Sequence, residues 1–114
     1  MTERPAYKSH PLWETAMALV RDAYAVADGV RGLSPETARG LRKAAVAVPA
    51  HIAAAVSDPG EERRQHALAA RGALAAVAAY AGKLPGEASR QLIRRAQTLE
   101  LSVLFELDAT EAVT

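Results

Sequence analysis

The chain has no cysteine, which removes disulfides, thiolate nucleophiles and cysteine-based zinc sites and suits a reducing compartment. Aromatic residues make up only 4% of it, with one tryptophan and one phenylalanine, so any core must be built from aliphatic side chains. Charge of one sign is not in excess either: 14 Lys and Arg stand against 13 Asp and Glu, for a net charge of +1 and a pI near 8.2. Dedicated nucleic-acid binders often exceed a pI of roughly 9, so overall charge gives such a role weak support. The longest apolar stretch is interrupted by Arg71, and none reaches the about 18 residues that a membrane span requires. The opening "MTERPAYKSHPLW" lacks the basic-then-apolar order of a leader. The expectation is a cytoplasmic protein with no membrane partner.

What the sequence does contain is alanine. Half of the 114 residues are hydrophobic, and alanine, the best helix former, supplies a very large share of them. One all-helical domain with a single core follows. Residues 1–10 form a polar N-terminal arm with Tyr7 as an anchor, residues 11–109 the helical unit, and residues 110–114 a C-terminal tail. The first helix begins at Pro11, where the missing N–H is harmless, and carries the stripe Leu12, Ala16, Leu19, Ala23 and Val26. A second stripe of Trp13, Met17, Val20 and Tyr24 runs beside it, and Gly29 and Gly32 end the helix. Ser34-Pro35-Glu36 starts the second helix, striped by Leu41, Ala45, Val48, Ile52 and Ala55. In "SDPGEE", Asp58 and Glu61 have the spacing of a capping box for the third helix, which shows Ala67, Ala70, Leu74, Val77 and Ala81 before Gly82. "KLPGE" makes the last turn, and Leu92, Ala96, Leu99 and Val103 lead a fourth helix that frays after Leu107. Four helices of roughly 17 to 24 residues with short connections make neighbours antiparallel: an up-down-up-down four-helix bundle.

Within "AAVAVPAHIAAAV" the second helix contains Pro49. A proline there removes one backbone hydrogen bond and crowds the carbonyl of Ala45, at a cost of about 3 kcal/mol if uncompensated. One kinked helix is expected because the apolar period continues in step from Leu41 to Ile52; two shorter helices meeting here is the alternative. His51 either donates to a carbonyl freed by the proline or points to solvent or a subunit contact.

"LWETAMALVRDAYAVAD", "LRKAAVAVPAHIAAAV" and "ALAARGALAAVAAYAGKL" resemble, in order and spacing, the four-helix bundle proteins first noted as reading frames in bacterial 23S ribosomal RNA intervening sequences. The accessory protein of diversity-generating retroelements is similar to the same family. The resemblance covers about Leu12 to Leu84. The family's second helix reads Ser-(Val/Ile)-Pro-Ala-Asn-Ile-Ala-Glu-Gly; here the stretch runs from Ala47 to Ala55 and keeps Pro49, Ala50, Ile52 and Ala53. In the third helix, a pattern close to Ala-Arg-Gly-Ser-Leu-x-Glu-Leu appears as Ala70 to Val77. Polar members of both patterns are replaced, so Ala47, Ala54, Ala55, Ala73 and Ala76 are expected to be buried or at helix contacts. The resemblance implies a bundle without catalytic activity that assembles into a ring-shaped homo-oligomer, commonly a pentamer. For some members it also implies contact with RNA or a nucleic-acid enzyme.

Catalysis has no residues to carry it. The acids Glu36, Asp58, Glu61 and Glu62 cluster at helix starts, where capping and the helix dipole explain them. His10, His51 and His66 have no HxxxH or HxxEH spacing, and no glycine-rich phosphate loop is present. No catalytic residue, cofactor or metal site is expected. Arg39, Arg42 and Lys43 on the second helix, with Arg90, Arg94 and Arg95 on the fourth, are the candidate RNA or DNA contacts, against the plain reading of a solvated charged face. A ring would repeat such patches around its axis. Ile93, Leu101, Leu104 and Phe105, with Val46 and Tyr80, lie off the main stripes and are the candidate oligomer interface, against the alternative of a broad core stripe. The expected function is a self-assembling interaction scaffold. The alternative is a bundle holding a small molecule or metal between its helices.

Overall fold

A computed structural model describes residues 6–30, 32, 34–58 and 60–108, with Asp108 described in its backbone alone. Residues 1–5 of the arm and the tail 110–114 lie outside the described residues. Four helices follow in order: α1 (Pro11–Gly29), α2 (Pro35–Ser57), α3 (Glu61–Ala81) and α4 (Glu87–Val103). There is no strand among the described residues. Each helix packs on the next and α4 returns to α1, so the four close a square around one core. Short connections between spatial neighbours make this an antiparallel, all-α four-helix bundle.

The main stripe read on each helix is the core. All five residues named on α2 and all five on α3 are fully buried, and the Leu12 to Val26 stripe of α1 and the four leading residues of α4 are buried, whereas Tyr24 of the second α1 stripe is 39% exposed. Trp13, Val20, Tyr80 and Ile93 are half-buried against this core. Of the alanines expected at helix contacts, Ala55 is buried, and Ala47, Ala54, Ala73 and Ala76 are half-buried.

The helix starts follow local chemistry, with one correction. The Ser34 hydroxyl caps α2, accepting from the Thr37 N–H at 3.3 Å and donating to Glu36 at 3.2 Å. At α1, His10 takes the cap position, and its Nδ1 accepts from the Leu12 N–H at 3.1 Å. The capping box proposed for α3 does not form. Gly60, with φ of +75°, occupies the cap position and no side chain bonds the first turn. Asp58 instead ends α2, its N–H donating to the Ala54 carbonyl, and its carboxylate meets His66 Nε2 at 3.2 Å. Glycine reaches that backbone region without strain, which lets the connection turn within few residues.

Pro49 lies inside one continuous helix rather than between two. Its missing N–H leaves the Ala45 carbonyl without the usual intrahelical partner. The ring itself is buried, so core packing offsets part of that loss. His51 is half-buried and makes no side-chain hydrogen bond among the described residues. After Val103 the chain widens into a π-helical turn, Leu104–Asp108; the fraying expected after Leu107 falls beyond Asp108, outside the described residues. The wider turn brings Leu107 back towards the core line of Val103, and Leu107 is buried. At the other terminus a 3-10 turn, Ala6–Ser9, packs on α1 and α2. The Tyr7 ring meets Trp13 edge-on at 5.5 Å, so Tyr7 is the anchor the sequence suggested.

Candidate functional site: the α4 surface and the α1–α4 groove

Exposed large apolar residues occur on every helix, Tyr24 on α1, Val46 on α2, Leu68 on α3 and Leu101 on α4, and the most exposed, Phe105, is in the π turn after α4. On α4 the core takes Leu92, Ala96, Leu99 and Val103. Ile93 and the Arg71–Glu100 pair (Nε–Oε2 3.9 Å) belong to the side near α3. Leu101 is left 56% exposed and Phe105 72% exposed, with half-buried Leu104 between them. Val46 on α2 is 45% exposed. Ile93 and Tyr80 already give much of their apolar surface to their own bundle. The sequence reading passed over Leu68 on α3, which is 60% exposed. Because α3 and α4 are antiparallel, Leu68 near the start of one is at the same end of the bundle as Leu101 and Phe105. Its position off the Ala67–Ala70–Leu74 stripe was the available signal.

The candidate cations are mostly held in place. Arg42 is hydrogen-bonded to Asp28, and its guanidinium stands 5.6 Å from the centre of the Tyr24 ring. Arg95 reaches across to Asp22 on α1 at 2.6 Å. Arg90 and Arg94 share Glu87, at 3.1 and 2.9 Å. Hydrogen bonds from Arg94 first, then Arg90, hold the Glu87 carboxyl below its ordinary range. Arg39 and Lys43 are exposed and make no ion pair among the described residues. The six candidates therefore fall on two separate helices, α2 and α4, which are diagonal in the bundle.

Between α1 and α4 a groove of about 770 Å³ opens. Leu12, Leu19 and Leu99 form its floor; Thr15, Ala18, Thr98 and Ser102 flank it. Short side chains at the positions beside both core stripes do not reach across, and the groove results. Asp22, Arg94 and Arg95 line one end, Pro11 and Glu106 the other. Sequence patterning hides this feature, because threonine and serine beside a stripe read as solvated positions.

The core itself offers no comparable chemistry. Its only buried polar residue among the described ones is Ser89, whose hydroxyl donates to the Pro85 carbonyl at 3.1 Å. No group of three or more His, Asp or Glu among the described residues is placed to hold a metal ion. No helix of the described residues is long and apolar enough to cross a membrane. No protein family, curated protein or solved structure matches this chain.

Proposed function

We propose that the protein is a non-enzymatic, self-assembling four-helix bundle that acts as an interaction scaffold. The observation that carries this reading is the exposure of Leu101 on α4, whose opposite side fills the core, together with that of Phe105 in the π turn that follows. A helix apolar on two sides is matched to two partners, one within the chain and one beyond it. Leu104 extends this face, and exposed Val46 on the diagonal helix α2 and Leu68 on α3 offer further apolar surface for the complementary side of a head-to-tail contact. Resemblance to the intervening-sequence bundles supports a closed ring, with a pentamer favoured over a dimer, working in the cytoplasm. Head-to-tail contacts close such a ring without a two-fold axis.

RNA or DNA contact is the second part of the proposal. Arg39 and Lys43 are its strongest carriers, since the other four cations already have carboxylate partners. Binding of this kind is tolerant of sequence and falls steeply with salt. Light scattering on wild type and Phe105→Arg tests the assembly: a multimer that breaks down into smaller helical species supports it, and a wild-type monomer at high micromolar concentration removes it. Gel-shift titrations of the assembled form at low salt test the nucleic-acid part. Binding that weakens in Arg39→Ala/Lys43→Ala supports it, and no binding removes it.

A further inference from the structure

We infer that the α1–α4 groove is a binding site for a single-chain amphipathic carboxylate, its head group on Arg94 and Arg95 and its chain laid along the groove towards Pro11. This goes beyond the scaffold reading and does not depend on assembly. The volume, about 770 Å³, lies within the roughly 300 to 1,000 Å³ of small-molecule sites. From Asp22 to Pro11 the groove follows three turns of α1, about 16 Å at 1.5 Å per residue, a length that an extended dodecyl chain spans. Leu19, Leu99 and Leu12 succeed one another along this path and give the chain an apolar bed.

Charge sets the direction. At the Asp22 end, Arg90, Arg94 and Arg95 pair with Glu87 and Asp22 among the described residues, which leaves one positive charge in excess in these pairs. Arg94 and Arg95 are adjacent in sequence and both line the groove. Each guanidinium has five N–H donors. The Arg95 contact with Asp22 and the Arg94 contact with Glu87 each engage one terminal nitrogen, so donors remain for an incoming carboxylate. At the Pro11 end the only charged lining residue among the described ones is Glu106, which repels an anion bound the other way round. A cationic amphiphile would reverse both interactions.

Two-dimensional amide NMR on the full chain, titrated with dodecanoate below its micelle concentration, is the test. Dodecyltrimethylammonium serves as the opposite-charge control. Saturable shifts centred on residues 11–22 and 94–106 are expected, with dodecanoate binding at least about tenfold more tightly than the cation, a difference of about 1.4 kcal/mol. Arg94→Ala/Arg95→Ala should erase that preference, and Thr98→Trp should block binding by filling the groove. The inference is overturned by the absence of saturable shifts. It is equally overturned by equal affinity for the two amphiphiles, or by shifts confined to the Leu68, Leu101 and Phe105 surface. Should Thr98→Trp lose its helical spectrum, loss or retention of the preference in Arg94→Ala/Arg95→Ala decides the matter alone. The same titration on Phe105→Arg keeps this result separate from the scaffold reading, because that substitution targets assembly and leaves the groove lining intact.

Discussion

The α2–α3 and α1–α4 seams join helices of similar length in the same bundle, yet one is closed and the other open. At α2–α3, Gly40 lies under the ring of Tyr80, and Arg63 Nε donates to the Ala55 carbonyl at 3.1 Å. Fully buried alanines at 45, 55, 67 and 70 line the two helices. At α1–α4, threonine, alanine and serine flank leucines and leave a groove crossed by the Asp22–Arg95 pair. Small side chains therefore have opposite consequences. Where they are opposed by a large ring or sit on the core line, they let helices approach; where both helices carry short side chains beside the core line, nothing fills the space. Alanine content alone does not fix helix spacing.

Matched truncations break the comparison most strongly. Leu74→Ala at the closed side should cost about 3 to 4 kcal/mol, since it leaves a void in a fully buried site. Leu99→Ala at the groove floor should cost about 2 kcal/mol, because the space it vacates joins an existing opening. Urea unfolding measures both, and equal losses would mean the two seams are equally tight. Next comes Gly40→Ala. A methyl there would stand 2.7 Å from the Tyr80 hydroxyl and closer still to the ring carbons. A loss of about 1 to 2 kcal/mol is expected from overpacking. In a Tyr80→Ala background the sign should reverse, because alanine is up to about 1 kcal/mol better than glycine inside a helix.

Thr98→Leu sharpens the comparison from the open side. Added apolar surface over the groove should leave stability unchanged or raise it by less than about 1 kcal/mol, while the same kind of enlargement at Gly40 destabilises. The smallest effect concerns the ion pairs at the basic end of the groove. Glu87 has a lowered folded-state pKa, so its contribution is present above the ordinary carboxylate range and is lost as pH falls through the lowered value. Its carboxyl is fully exposed, and the effect on unfolding should be too small to resolve. Carboxyl NMR titration should show Glu87 moving up towards 4.5 in Arg94→Ala, and by less in Arg90→Ala.

The core was legible in the sequence because periodicity reports directly on burial. Leu41, Ala45, Val48, Ile52 and Ala55 form one line at helical spacing, and all are buried. Pro11, the Ser34 cap and the end of α3 at Gly82 were equally local and equally readable. Features set by distant neighbours were not. Arg95 and Asp22 are 73 residues apart, so their pairing is invisible before the helices close. Tyr80 reads as a spare aromatic until Gly40 is brought beneath it. Asp58 has capping spacing, but Gly60 turns the chain first and its carboxylate meets His66 instead. The groove needs two helices to exist at all, which is why Thr15, Thr98 and Ser102 carried no signal one by one.

Self-assembly through the outer side of α4 is the central claim, and sedimentation equilibrium of the purified chain tests it most directly. The expected wild-type mass is near five times the 12.0 kDa of one chain, falling in Phe105→Arg to smaller species with an unchanged helical spectrum. A wild-type mass of 12.0 kDa at high micromolar concentration would contradict it.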